Sequence, residues 1–240
     1  TGAGYVQLAV PESAQQAVAL RLLEAVTHGL PEEDGMHVRA GVEQVQELAE
    51  RAGAVVLGPG LGRSDGAREF AREVARTVEV PLLIDADGLN AHVGVLETLR
   101  DRPAPTILTP HAGELGRLLE IESGVVSARR LEHARAAAER TGAIVVLKGD
   151  DTIVACPGGP VAISPGATAA LATAGTGDVL SGTIGALLSK GMDPFAAAAA
   201  GVLAHARAGK IAAERLGADH VVAGDAIDAL PAAFAARATR

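Results

Sequence analysis

The residues of this chain with chemical potential gather in short glycine-rich segments. The sharpest is Ala174-Gly175-Thr176-Gly177-Asp178, which runs directly into the apolar stretch Val179-Leu180-Ser181-Gly182. Glycines let a backbone approach a ligand closely, and free amides at a helix start, reinforced by the helix dipole, attract an anion. An aspartate at that place, Asp178, stands beside a bound phosphate, where its carboxylate can take a proton from an attacking hydroxyl. The plainer reading makes Asp178 an N-cap residue. For a lone Gly-x-Gly-Asp the cap is preferred; further phosphate-type loops in the same chain turn the preference towards catalysis.

The second segment, Thr109-Pro110-His111-Ala112-Gly113-Glu114, places an imidazole and a carboxylate at a strand end and helix start. His111 there can meet a substrate and Glu114 a Mg²⁺-bound water. An ordinary first helical turn, with Glu114 answering the dipole and His111 solvated, fits the local sequence as well. In the third, Val145-Val146-Leu147 delivers Lys148, Gly149, Asp150, Asp151 and Thr152 to the sheet edge. A nucleotide can lie against this backbone and ammonium; a plain hairpin turn with an exposed lysine is an equal alternative. The run Gly58-Pro59-Gly60-Leu61-Gly62 admits a bulky ligand, although glycine turns after strands are common. Asp85 and Asp87 can orient substrate or hydrated Mg²⁺, with Asn90 as a cap. His205 and Lys210, on an alanine-rich helix, read as structural or surface residues. Cys156 lacks a partner motif and reads as an inert small side chain. The remaining histidines lack metal-ligand spacing, which disfavours zinc.

Short β-branched runs alternate with helical stretches, as in a doubly wound sheet. Strands are expected at Tyr5–Val10, Ala54–Leu57, Leu82–Ala86, Thr106–Thr109, Ala143–Lys148, Asp151–Ala155 and Val161–Ile163. A helix opened by Pro11, Ser13 and Gln16 is expected to run towards His28, and Ser64 to cap another. Beyond Asp178 the chain is expected to be helical over Val179–Lys190, Pro194–Leu216 and Ala226–Arg237. Ligands of such sheets sit beyond the carboxyl ends of the strands, so Gly58–Gly62, Asp85–Asn90, Thr109–Glu114 and Lys148–Thr152 are expected to form one composite site.

The 240 residues suit a single α/β domain over 1–240, and no internal repeat or linker divides them. Hydrophobic residues make up 48% of the chain but aromatics only 2%, so the core must be built from Val, Ile, Leu and Ala. A net charge of −8 without a basic cluster argues against a nucleic-acid partner. No apolar run has the length and purity of a membrane span, and one cysteine cannot form an internal disulfide. A cytoplasmic globular enzyme is expected.

The ordered set Gly58-Pro59-Gly60-Leu61-Gly62, Asp85-Ala86-Asp87, Thr109-Pro110-His111-Ala112-Gly113-Glu114, Leu147-Lys148-Gly149 and Gly175-Thr176-Gly177-Asp178 resembles the ADP/ATP-dependent NAD(P)H-hydrate dehydratase family of the ribokinase-like superfamily. The resemblance runs from Thr1 to the C-terminus. It implies a ribokinase-like, mostly parallel sheet with helices on both faces. It also implies that Gly60, Gly62 and His111 line the site for hydrated NADH or NADPH, with Asp178 at the reacting hydroxyl. Lys148, Gly149, Asp150, Asp151, Thr152, Gly175, Thr176 and Gly177 would contact ADP or ATP, and Glu114 would reach Mg²⁺ through water. Related kinases usually carry Asn in place of His111, which favours the dehydratase branch over a vitamin-precursor or sugar kinase.

Two departures are visible. Ser164-Pro165-Gly166-Ala167-Thr168 stands where the family often has an Asn-rich lead-in. The family also begins with a strand and helix ahead of the position of Thr1, so a first strand–helix unit of roughly 30–40 residues is expected to be lacking, with Tyr5–Val10 as the second strand of the sheet. The implied reaction dehydrates the S form of hydrated NADH or NADPH. The C6 hydroxyl is phosphorylated, preferably by ADP, and phosphate is then eliminated; Asp178 acts as base and the amides of Gly175–Gly177 as anion hole. The resemblance further implies a homo-oligomer, a tetramer, and an NAD(P)HX epimerase as an upstream or separate partner. The competing readings are a small-molecule kinase and a nucleotide-binding sensor without turnover.

Overall fold

Strands of three or four residues, buried on both faces, carry the centre of the protein. The computed structural model describes residues 1–164, 166 and 168–235. In chain order the elements are β1 (Val6–Pro11), α1 (Glu12–Ala19), β2 (Ala25–Leu30), β3 (Glu32–Glu33), β4 (Met36–His37), α2 (Val42–Ala49), β5 (Val55–Leu57) and α3 (Asp65–Thr77). There follow β6 (Leu82–Ile84), α4 (Ala86–Ala91), β7 (Thr106–Leu108), α5 (Ala112–Leu119), α6 (Ser123–Ala128), α7 (Arg130–Thr141) and β8 (Ile144–Leu147). The last are β9 (Ile153–Ala155), β10 (Val161–Ile163), α8 (Thr176–Ser189), α9 (Pro194–Leu216) and α10 (Ala223–Ala235). The expected final helix ends within the described residues at Ala235, and its last two positions lie outside them, as do Pro165 and Ala167 of the glycine lead-in.

The main sheet has the order β10-β9-β8-β7-β6-β5, with β5 to β8 parallel and β9 and β10 antiparallel. Successive side chains of a strand point to opposite faces, and the two faces meet different helices. Leu82, Ile84, Leu108, Val145, Leu147 and Ile153 pack with residues of α2, α3, α5 and α7, among them Phe70, Val74, Leu115 and Ala137. Leu83, Ile107, Ile144, Val146 and Val154 pack instead against Leu180, Ile184, Leu187, Ala197 and Val202 of α8 and α9. Each fully covered Leu or Ile contributes roughly 1.5–3 kcal/mol, so sandwiching the strands from both sides is what offsets the entropy of ordering them. The mostly parallel α/β architecture is as the sequence predicts.

The N-terminal part differs from expectation. Helix α1 stops at Ala19, and Ala25–Leu30, expected to continue that helix towards His28, is a strand. It pairs in parallel with β1, Val6 opposite Ala25 through Pro11 opposite Leu30, so its backbone groups are satisfied by a partner more than a dozen residues away. Strand β1 therefore stands in a separate two-stranded sheet and is not hydrogen-bonded into the six-stranded one. Ser13 donates from its backbone and hydroxyl to Glu32 instead of capping α1. The hairpin β3–β4 turns through Asp34 and Gly35, at φ of 50° and 75°. Positive φ at both central positions marks the tight hairpin turn that Asp-Gly favours. Ser64 caps α3 as expected, accepting from the amide of Ala67 at 3.1 Å.

Candidate active site

The carboxyl ends of β5, β6, β7 and β8 bring four sequence segments to one edge of the sheet. The loop after β5 fits only because Gly58, at φ 135°, has no side chain: a Cβ there would lie 1.7 Å from the carbonyl oxygen of Asp85. Asp85, at the end of β6, is 1% exposed, and its carboxylate is fully engaged. Oδ1 accepts from the amide of Ala86 at 2.8 Å and from Lys148 Nζ at 2.8 Å, and Oδ2 accepts from Ser181 Oγ at 2.6 Å. Ala86 follows at φ 49°, a left-handed conformation rarely taken by a residue with a side chain and often found at functional sites.

Lys148 arrives from β8, whose backbone is extended by a bond from the Lys148 amide to Pro110 O at 2.8 Å. Its side chain is 20% exposed and points inward, which removes the exposed-lysine hairpin reading. Besides Asp85, its ammonium lies 3.7 Å from Glu114 Oε2. On its other side is the glycine loop: a Cβ on Gly177 would be 3.5 Å from Lys148 Nζ. The rest of that segment closes its own turn. Thr152 Oγ1 donates to Gly149 O at 2.9 Å and accepts from the Gly149 amide at 3.3 Å. Arg130 pairs with Asp151 at 3.2 Å and donates to Leu147 O.

Gly175, at φ 86°, is the N-cap of α8, with no side-chain hydrogen bond to the helix start. Asp178 is in the first turn and is not the cap. Its carboxyl is held above the usual aspartate range by partial burial and by the negative charge of Asp85, with Lys148 opposing. Thr176, also expected to contact a ligand, spends its hydroxyl on Leu171 O and Thr173 O at 2.7 and 2.8 Å and its amide on Thr173 O at 3.3 Å, which braces the loop.

His111 is the N-cap of α5. Nδ1 accepts from the amides of Gly113 and Glu114 at 3.0 and 3.2 Å, and Glu114 Oε2 accepts from the His111 amide at 2.8 Å. This reciprocal capping fixes both side chains. Burial, helped by Lys148 and Arg117, lowers the His111 pKa, with Glu114 pulling the other way. Because Nδ1 accepts, the ring carries its hydrogen on Nε2, which lies 3.6 Å from Glu114 Oε1.

Gly60 is open, with no heavy atom near the place of a Cβ, and Gly62 donates its amide to Asp87 Oδ2 at 3.2 Å. Asp87 also accepts from Arg63 Nε at 2.8 Å and from Asn90 at 3.2 Å; Asn90 accepts from Arg117 Nε at 3.0 Å. Asn90 thus lies within α4 as a bridge and is not a cap. Ser181, Arg63 and Arg117 are site residues that sequence reasoning missed. Arg63 abuts the glycine run, the only local signal of the three; Ser181 meets Asp85 across 96 positions. Burial pushes the Cys156 thiol up, and the His205 imidazole is buried with its pKa pushed down to about 4.

This topology, with a helix N-terminus facing strand ends that carry a buried Asp–Lys pair, defines a ribokinase-like α/β domain. A ribokinase-like superfamily protein from Enterococcus faecalis V583 superposes with a TM-score of 0.77 at 22% identity, covering 98% of this chain and 78% of that one. The chain belongs to the NAD(P)H-hydrate dehydratase family, whose model matches residues 1–232. The ADP/ATP-dependent NAD(P)H-hydrate dehydratase from Bacillus subtilis, co-crystallised with ATP and Mg²⁺, is 26% identical with a TM-score of 0.80, covering 98% of this chain and 80% of that one. The bifunctional NAD(P)H-hydrate repair enzyme Nnr of Salinibacter ruber is 43% identical over 162 residues, 66% of this chain and 30% of that protein. The chain thus spans about a third of the length of the curated relatives it matches.

Proposed function

We propose that the protein dehydrates the S form of hydrated NADH or NADPH back to NADH or NADPH, using ADP or ATP as phosphoryl donor. The observation that carries this reading is the meeting of the α8 N-terminus, bearing Asp178, with the Lys148–Asp85–Glu114 cluster at the carboxyl edge of the sheet. Family membership supplies the substrate. The dinucleotide lies along Gly60, Gly62 and His111, and the nucleotide along Lys148, Gly149, Asp150, Asp151, Thr152 and the amides of Gly175, Thr176 and Gly177.

In this reading Asp178 takes the proton from the C6 hydroxyl as its oxygen attacks the terminal phosphorus, and the bond from that phosphorus to the bridging oxygen breaks, releasing AMP from ADP or ADP from ATP. The ring nitrogen's lone pair then expels the new phosphate from C6, and loss of a proton from C5 restores the dihydronicotinamide double bond. Lys148 and the loop amides stabilise charge on the transferring group without reorganising. Bound Mg²⁺ supplies charge neutralisation on the phosphoryl oxygens. Among the described residues no three His, Cys, Asp or Glu side chains cluster to enclose a metal. Glu114 is a hard oxygen donor that would fit, through water, a Mg²⁺ keeping waters and phosphate oxygens in its shell.

Among the described residues no helix is long and apolar enough to cross a membrane. We place the protein in the cytoplasm as a homo-oligomer, with ADP preferred over ATP and an NAD(P)HX epimerase supplying the S form. A vitamin-precursor or sugar kinase is not favoured, since the family match and the dehydratase neighbours point elsewhere. The test is incubation of the protein with hydrated NADH, Mg²⁺ and either ADP or ATP. Recovery of dihydronicotinamide absorbance with release of phosphate is expected. A stable phosphorylated product, or no nucleotide dependence, would overturn the reading.

A further inference from the structure

The hairpin β3–β4 is built to hold one side chain over the glycine loop. Its turn is tight, and its two faces are used differently. His37 is 5% exposed and stacks on Phe70 of α3, ring centroids 4.8 Å apart and planes 10° off parallel. Val38, just beyond, lies against Gly66 at the start of α3. At the other end, Glu32 is tied to Ser13. Adjacent residues of a strand point to opposite sides, so anchoring His37 directs Met36 the other way.

Met36 goes to Gly62. Its sulfur lies 2.5 Å from where a Gly62 Cβ would be, so the thioether occupies the space that the missing side chain leaves. Yet Met36 is 39% exposed, and Gly60, two residues back along the same loop, has open space around it. A ligand laid on the open loop at Gly60 therefore meets a flexible, polarisable apolar wall on one side. Asp87, which accepts from the Gly62 amide, and its ion-pair partner Arg63 add polar groups beside the same loop. An exposed apolar side chain next to a tight two-residue turn, set against a glycine-rich loop, suits a flat heterocycle; thioether–ring contacts are favourable and tolerant of exact geometry.

We propose that Met36 is a specificity-determining residue: it forms the apolar wall against which a flat ring of the bound dinucleotide packs. This rests on the reading that the Gly58–Gly62 loop holds the dinucleotide. It gives the hairpin a role in substrate recognition that the sequence motifs do not cover.

The test uses the whole chain with two probes: NADH, a stable unhydrated relative of the substrate, and ADP. Binding of each is measured by calorimetry for the native protein, Met36→Ala and Met36→Leu. Met36→Ala is expected to weaken NADH roughly 3–10-fold, the worth of one or two buried methylene-sized groups, and to leave ADP within about twofold. Met36→Leu is expected to restore NADH binding to near native. Turnover of hydrated NADH should show the same split, a raised KM with kcat little changed. Unchanged NADH binding in Met36→Ala overturns the proposal, as does an equal loss of NADH and ADP. A native protein that binds ADP but no NADH overturns the dinucleotide reading of the loop itself, and this proposal with it.

Discussion

The ammonium of Lys148 lies 2.8 Å from Asp85 Oδ1 and 3.7 Å from Glu114 Oε2, so one cation serves carboxylates from two other segments. Asp85 is nearly sealed from water, and its remaining partners are the neutral Ser181 hydroxyl and the Ala86 amide. A charge in that position depends on its counter-ion. Removing one member of a buried pair typically costs 3–5 kcal/mol, whereas replacing both is often close to neutral. Lys148→Met is therefore expected to lower unfolding free energy by roughly 3 kcal/mol, and adding Asp85→Asn to recover most of it. Urea unfolding of the two variants checks this. Equal stability of the single and double variants would show that the pair is not coupled.

Asp178 is free of the capping role, because Gly175 occupies the N-cap and Asp178 sits inside the first turn. Asp178→Asn should therefore fold normally and bind ADP as well as the native protein. It should lose turnover by on the order of 10²–10⁴-fold, the usual worth of a general base. Near-native turnover would remove Asp178 as the base.

The pH dependence follows from the same residue. A base works when deprotonated, and burial together with Asp85 raises the Asp178 pKa. The acid limb of kcat/KM should therefore fall through a value above the ordinary aspartate range. Lys148 lowers this pKa, so Lys148→Met should move the limb upward. A limb at the position of an ordinary exposed aspartate, unmoved by the substitution, would count against the assignment.

Two glycines of one loop should respond differently to alanine. At Gly58 the new methyl would meet the Asp85 carbonyl at 1.7 Å with φ at 135°, so Gly58→Ala should distort the β5–β6 ends and unfold at markedly lower temperature. At Gly60, φ 75°, a methyl meets nothing. Gly60→Ala should cost only about 1 kcal/mol of backbone strain while raising the KM for the dinucleotide. Thermal unfolding and steady-state kinetics of both separate fold from binding.

His92 and His205 are buried, and desolvation brings each pKa down to about 4. Their folded values lie below the unfolded one, so in acid the unfolded chain takes up protons first. Stability from this source is complete above the unfolded pKa, near 6.5, and is lost as pH falls towards about 4. The slope approaches 1.4 kcal/mol per pH unit for each histidine, or roughly 3 kcal/mol for the pair between about pH 7 and 5. Urea midpoints across that range check it. His92→Gln, which keeps a donor for the Gly88 carbonyl that His92 Nδ1 faces at 2.8 Å, should flatten part of the slope.

What the sequence determined alone was local. Buried runs such as Leu82–Ile84 and Ile144–Leu147 announce themselves as strands, because a strand covered on both faces needs an unbroken apolar string. The glycine loops and the helix opening at Thr176 are legible because close backbone approach and positive φ are properties of glycine itself. The hairpin at Asp34-Gly35 is equally legible, because Asp-Gly favours the positive φ that both central positions take. Ala25–Leu30 was not legible, since only pairing with β1 decides between helix and strand there. Nor could the sequence show that Lys148 turns inward to Asp85, 63 positions away, that Ser181 completes that carboxylate, or that Asp178 escapes the cap. Those outcomes depend on which strand ends become neighbours and how much water remains between them. A charge's partner and its desolvation are properties of the packed molecule, and no local stretch of chain contains them.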